Sequence, residues 1–122
     1  MNGVMKFETI KGDTLPALQV NVGESNDGKK ENGFVTDPTG AIVKFSMWKI
    51  EDETIKVNAA AGSVQNVALN SDGTYYAELV YAWVAADVDT KGQYPGRFTL
   101  TIGADTISIP KKKGELLVII DD

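Results

Sequence analysis

Along most of this chain apolar and polar residues take turns with a period of two, in short runs separated by Gly, Asn, Asp and Pro. A strand sends successive side chains to opposite faces, so this pattern builds half-buried strands and not the i, i+3, i+4 stripe of a helix. No segment carries a convincing helical stripe. Leu18, Val20 and Val22 alternate with Gln19 and Asn21, which predicts a strand over residues 17–22 after Gly12, Asp13 and Pro16. Val43, Phe45 and Met47 alternate with Lys44 and Ser46, with Trp48 on the opposite face near the strand's end. Ile55 and Val57 define a shorter strand after the charged turn Glu51-Asp52-Glu53. Residues 64–69 lead into Asn70-Ser71-Asp72-Gly73, whose Asn, Asp and Gly tolerate positive φ and so predict a hairpin turn.

Beyond that turn Tyr75, Ala77, Leu79, Tyr81 and Trp83 share one face while Glu78 takes the other, predicting the longest strand of the chain. Phe98, Leu100 and Ile102 alternate with Arg97, Thr99 and Thr101, and Ile107 with Ile109 follows the turn Gly103-Ala104-Asp105, giving a second hairpin. The run 116–120 is continuously apolar, as in a last strand covered on both faces. Eight or nine short strands at regular spacing imply a two-sheet sandwich or a barrel. The one long connection, residues 23–40, holds a polar stretch around Asn26-Asp27-Gly28-Lys29 and is expected to be a mobile surface loop.

The 122 residues fit one domain spanning 1–122 and are enough to bury a core without a disulfide or structural metal. Cys and His are both absent, which excludes thiolate chemistry, Cys/His zinc sites, imidazole acid–base catalysis and every Ser-His or Cys-His nucleophile. The expectation is a non-enzyme with no cofactor. A net charge of −5, from 12 basic against 17 acidic residues, disfavours nucleic acid and anionic membranes as partners. The longest nearly apolar stretch, residues 77–86, contains Glu78 and is far short of the roughly 20 residues that span a bilayer. The opening Met1-Asn2-Gly3-Val4-Met5-Lys6 lacks a signal-peptide core, so a soluble product made in the cytoplasm is expected.

The most specific local pattern is Asp89-Thr90-Lys91-Gly92-Gln93-Tyr94, which delivers a tyrosine to the start of a core strand. It resembles the tyrosine corner of immunoglobulin-like domains, and favours an immunoglobulin-like antiparallel β-sandwich over a closed barrel. Gly92, Tyr94, Trp83, Phe98 and Phe45 are accordingly read as structural residues. Carboxylates cluster at Glu51-Asp52-Glu53, at Asp87 with Asp89 and at Asp121-Asp122. A calcium site or glycosidase dyad would need convergence in a cleft, and these positions read as solvated turn charges. Asn26-Asp27-Gly28 opens like a calcium loop but lacks its later Glu. Lys111-Lys112-Lys113 reads as turn residues that keep a strand edge soluble, not as a nucleic-acid patch. Trp48, beside Lys49 at a strand end, is the candidate ligand contact, because an exposed indole can stack on a sugar ring.

Four segments in order resemble the N-terminal domain of phage upper baseplate proteins, an immunoglobulin-like module of tail tips. They are Ile10-Lys11-Gly12-Asp13-Thr14-Leu15-Pro16-Ala17-Leu18; Thr39-Gly40-Ala41-Ile42-Val43-Lys44-Phe45-Ser46-Met47; Tyr81-Ala82-Trp83 with Asp87-Val88-Asp89-Thr90-Lys91-Gly92-Gln93-Tyr94 and the strand of Phe98; and Ile107-Ser108-Ile109-Pro110 leading to Leu116-Leu117-Val118-Ile119-Ile120. The 23–40 connection is longer than the family's compact turn. The resemblance implies a virion tail protein that contacts other tail or baseplate proteins and copies of itself. The alternative is a free-standing adhesion or carbohydrate-binding module, since function resides in sites grafted on a fold.

Overall fold

The computed structural model describes residues 5–23, 33–71, 73–110 and 114–122. Alternation produces strands wherever it is regular: β1 (Met5–Ile10), β2 (Leu18–Val22), β3 (Ile42–Trp48), β4 (Ile55–Ala61), β5 (Ser63–Leu69), β6 (Tyr75–Tyr81), β7 (Gly92–Ile102), β8 (Asp105–Ile109) and β9 (Leu116–Asp121), with a single 3₁₀ turn at Ala85–Val88. One sheet runs β1-β9-β7-β3-β4 with β8 also on β7, and the other runs β2-β6-β5. The regular strands turn an alternating apolar set inward, while Ile10, Ile42, Ile55 and Leu69 stay exposed. Leu18, Val20 and Val22 of β2, Val43, Phe45 and Met47 of β3, Phe98 and Leu100 of β7, and Leu116, Val118 and Ile120 of β9 all join one buried core.

In chain order, β2, β3, β4, β5, β6, β7 and β9 take the places of strands B, C, C′, D, E, F and G of an immunoglobulin-like sandwich, with B-E-D facing G-F-C-C′. The chain is an all-β, two-sheet sandwich of that kind. β8 and β9 both run antiparallel to β7, β8 against Phe98–Ile102 and β9 against Gly92–Pro95. They are therefore one strand interrupted after Ile109, and Arg97 Nε reaches the break to donate to the Pro110 carbonyl at 3.2 Å.

Several expectations are corrected. β1 was not anticipated, and it pairs parallel with β9, Met5 with Leu116 through Ile10 with Asp121, so the larger sheet is mixed and not purely antiparallel. Its inward residues Met5, Phe7 and Thr9 are a mixed set whose alternation is weak in sequence. The longest strand is β7, eleven residues, not the 75–83 stretch. β6 ends at Tyr81 because the following chain turns back, with Val84 N–H donating to Asp87 Oδ2 at 3.0 Å. β4 extends to Ala61 and, after Gly62, the chain continues in the opposite sheet as β5. β9 is buried on its inner face, while Leu117 and Ile119 on the outer face are only half-buried.

The 23–40 connection is not wholly a surface loop. Phe34 is 3% exposed and pairs with Tyr75 across an isolated bridge, and Pro38 is fully buried. An apolar residue in a polar stretch carries no period, so its burial was not readable. Residues 24–32, with Asn26-Asp27-Gly28, lie outside the described residues, as do Asp72 and Lys111-Lys112-Lys113. Both expected hairpins form: Asn70 N–H donates to Thr74 O at 2.8 Å between β5 and β6, and Ile102 pairs with Asp105 between β7 and β8.

Candidate functional site

Of the residues read as structural, Trp83 and Phe98 come together around the ring of Phe45, while Gly92 and Tyr94 form a separate corner. Phe45 is fully buried on β3 and stacks on Tyr81 at 5.0 Å, meets Phe98 at 5.0 Å and takes the edge of Trp83 at 5.9 Å. Trp83 in turn contacts Phe7 of β1 at 5.7 Å, tying the first strand to this cluster. Aromatic pairs in such offset and edge geometries contribute about 0.5–1.5 kcal/mol beyond their area. Trp83 is core, and its indole Nε1–H has no hydrogen-bond partner among the described residues.

Phe45 sits over Gly96. A Cβ at Gly96 would fall 2.9 Å from Phe45 Cε1 and 3.0 Å from Cζ, so only glycine leaves room for the ring. In antibody domains the residue two after the corner tyrosine is the second core cysteine. Here that residue, two beyond Tyr94, is Gly96. The room beside Gly96 is taken by the Phe45 ring from β3, the neighbouring strand of the same sheet.

Tyr94 makes the corner contact: its hydroxyl donates to the Thr90 carbonyl at 2.9 Å while the ring is buried. Gly92 has φ of 152°, a region that only glycine adopts readily, and so turns the chain into β7. Burial pushes the Tyr94 hydroxyl pKa above its ordinary value. The corner is braced from β4, where Lys56 Nζ lies 2.6 Å from Asp89 Oδ1. That pairing, with a further bond from the Thr90 hydroxyl, lowers the Asp89 pKa.

Asp87 corrects the reading of the acidic residues as solvated turn charges. It is 7% exposed, and its Oδ2 accepts the Tyr81 hydroxyl at 2.6 Å and the Val84 N–H at 3.0 Å. Burial first, then the Asp87 bond and charge, raise the Tyr81 pKa well above the usual phenol range. A carboxylate inside a turn looks solvated in sequence, and only the packing of Tyr81 above it shows otherwise. Asp89 and the Glu51-Asp52-Glu53 turn are exposed, as are Asp121 and Asp122. Among the described residues no cluster of acidic groups is placed to hold a metal ion.

Trp48 is half-buried at the end of β3, on the outer face of the larger sheet, in register with Ile55, which is 56% exposed. Tyr81 and Tyr94 are buried, so neither lies beside Trp48 as a second exposed platform for a sugar. A shallow groove of about 370 Å³ lies at the same end, lined by Lys49, Glu51, Asp52, Thr90, Lys91 and Gly92 with Gln93 and Tyr94. Its walls are the β3–β4 turn and the tyrosine corner, joined by Ile50 N–H donating to Gln93 O at 3.1 Å. The groove is mixed in charge, with Lys49 and Lys91 beside Glu51 and Asp52.

Among the described residues no helix is long and apolar enough to cross a membrane. No family model matches the sequence, and comparison with curated proteins and with solved structures finds no match.

Proposed function

We propose that this chain is a structural protein of a phage virion tail, placed at or near the baseplate and acting through contacts with other tail proteins and with copies of itself. The observation that carries the reading is the co-linear order of the four baseplate-like segments, from Lys11-Gly12-Asp13-Thr14 to the 116–120 run. The architecture supports it, because an immunoglobulin-like sandwich binds partners by strand addition or by side-chain patches and needs no catalytic group for the purpose. The acidic balance and the lack of Cys and His agree with such a role. On this reading the protein is made in the host cytoplasm and ends in the virion.

The test is mass spectrometry of purified virions from a host expressing this gene, with pull-down of purified tail proteins on the tagged chain. The chain is expected in the tail fraction at a fixed stoichiometry. Its absence there, with no tail protein captured, would overturn the reading. Against the carbohydrate-binding alternative stands the burial of Tyr81, Trp83 and Tyr94, which leaves these rings in the core and away from any surface on which a sugar could stack. A glycan array bound by the wild-type chain and not by Trp48→Ala would move the assignment there.

A further inference from the structure

Strand edges present backbone N–H and C=O groups that lack a ladder partner, and sandwiches blunt them with bulges, charges or prolines. Three edges here are treated in that way. β4 is bulged where its register against β3 shifts, with Ala59 at φ 50° and its N–H donating to Ser46 Oγ at 2.8 Å. β5 is bulged between Gln65 and Ala68, with Asn66 at φ 53°. β1 sets Lys6 and Glu8 along its outward face.

β2 has none of these devices. Leu18-Gln19-Val20-Asn21-Val22 holds no charge, proline or glycine, and pairs with β6 through five residues without a register shift. Among the described residues no strand pairs with its other side. In a constant-type immunoglobulin sheet that side carries the first strand, in the order A-B-E-D. In this chain the first strand has gone to β9 in the opposite sheet.

We propose that the open edge of β2 pairs antiparallel with β2 of a second copy about a two-fold axis at Val20. The two smaller sheets then join as one, β5-β6-β2-β2-β6-β5. This deepens the reading of the chain as a protein that works through protein contacts, and rests on it. The sequence of β2 is self-complementary in that register. Gln19, whose Nε2 donates to Asn21 Oδ1 of its own strand at 2.9 Å, falls opposite Asn21 of the second copy and the reverse, so polar amides meet polar amides on the outer face. Leu18 falls opposite Val22, and Val20 opposite itself, on the core side. A two-fold contact requires this reciprocity, each position meeting the one that meets it.

Electrostatics do not oppose the seam, although each copy carries −5. Among the described residues, the carboxylate that the neighbouring strand β6 sets beside this edge is Glu78, in register with Asn21. It already accepts from Tyr76 Oη and Asn66 Nδ2, each at 2.7 Å. Two Glu78 side chains across the joint are three strand spacings apart, about 14 Å, beyond the screening length of roughly 8 Å in physiological salt. A five-residue seam is smaller than the interfaces that hold stable dimers, so the dimer is weak when dilute and populated when copies are concentrated, as in an assembled particle.

The test uses the full chain in sedimentation equilibrium across a concentration series, with amide hydrogen exchange as a second readout. The wild type is expected to pass from monomer to dimer as concentration rises, with exchange at residues 18–22 slowing by at least tenfold. The exposed double substitutions Gln19→Lys with Asn21→Lys, and Gln19→Glu with Asn21→Glu, are each expected to stay monomeric, and their equimolar mixture to regain the dimer. A wild type that remains monomeric with unchanged exchange, or a dimer indifferent to both double substitutions, would overturn the pairing. A monomeric chain that still enters virions would overturn β2 self-pairing alone. A dimer that is absent from virions would leave the pairing intact and overturn the tail reading.

Discussion

Single residues at the centre of this sandwich are tuned to one another more tightly than composition suggests. Gly96 and Phe45 are the clearest case, because the ring occupies the volume that any side chain at 96 would need. Gly96→Ala is expected to cost about 1–3 kcal/mol by overpacking, read as a lower urea midpoint at unchanged slope. A variant as stable as the wild type would mean that the ring moves aside freely. Asp87 and Tyr81 form a second matched pair. The carboxylate is buried only because a hydroxyl and a backbone N–H meet it, and loss of a bond to a charged buried group costs about 1.5–3 kcal/mol. Neither pairing announces itself locally: Gly96 reads as a strand glycine, and Asp87 as a turn acid.

Among the elements, the strands that border the sandwich carry the irregular backbone. Ala59 is exposed and sits at φ 50°, where a side chain is strained by roughly 1–2 kcal/mol. Glycine removes that strain at the cost of greater freedom in the unfolded chain, about 0.5–1 kcal/mol. Ala59→Gly is therefore expected to leave stability unchanged or raise it by up to about 1.5 kcal/mol. Ala61→Gly, on the same strand without positive φ, should lower it by about 0.5–1 kcal/mol. Equal losses at both sites in urea denaturation would contradict the bulge assignment. The alternating runs of β2, β3, β6 and β7 were legible because each buries one face. β1 was not, since its place depends on β9, more than a hundred positions along the chain.

At the scale of the whole molecule, pH dependence sums over groups whose pKa differs between folded and unfolded chains. Tyr81 and Tyr94 are both raised above the ordinary phenol value of 10.0. A phenol with a raised folded pKa holds its proton more tightly in the folded state. The stability this adds is complete below about pH 10 and is lost as pH climbs through the folded values. The urea midpoint should thus fall above pH 10, and Tyr81→Phe should flatten that fall while lowering stability at neutral pH. An alkaline limb of unchanged slope in Tyr81→Phe would remove Tyr81 as its source. Asp89, Asp52, Asp37 and Glu78 are lowered by their hydrogen bonds. Their contribution is present above the ordinary carboxylate range and drains as pH falls below about 4.

The period-two pattern by itself determined that the chain would form strands, which faces of β2, β3 and β7 would be inside, and where two hairpins would turn, because a strand's burial is written in its own residues. Tyr94 and Gly92 also declared the corner locally, since a turn and its tyrosine are neighbours in sequence. The parallel docking of β1 on β9, the burial of Phe34, Pro38 and Asp87, the fit of Phe45 over Gly96 and the open edge of β2 were decided only in three dimensions. Each depends on which distant segment arrives alongside, and pairing partners, unlike facing, leave no period in the chain.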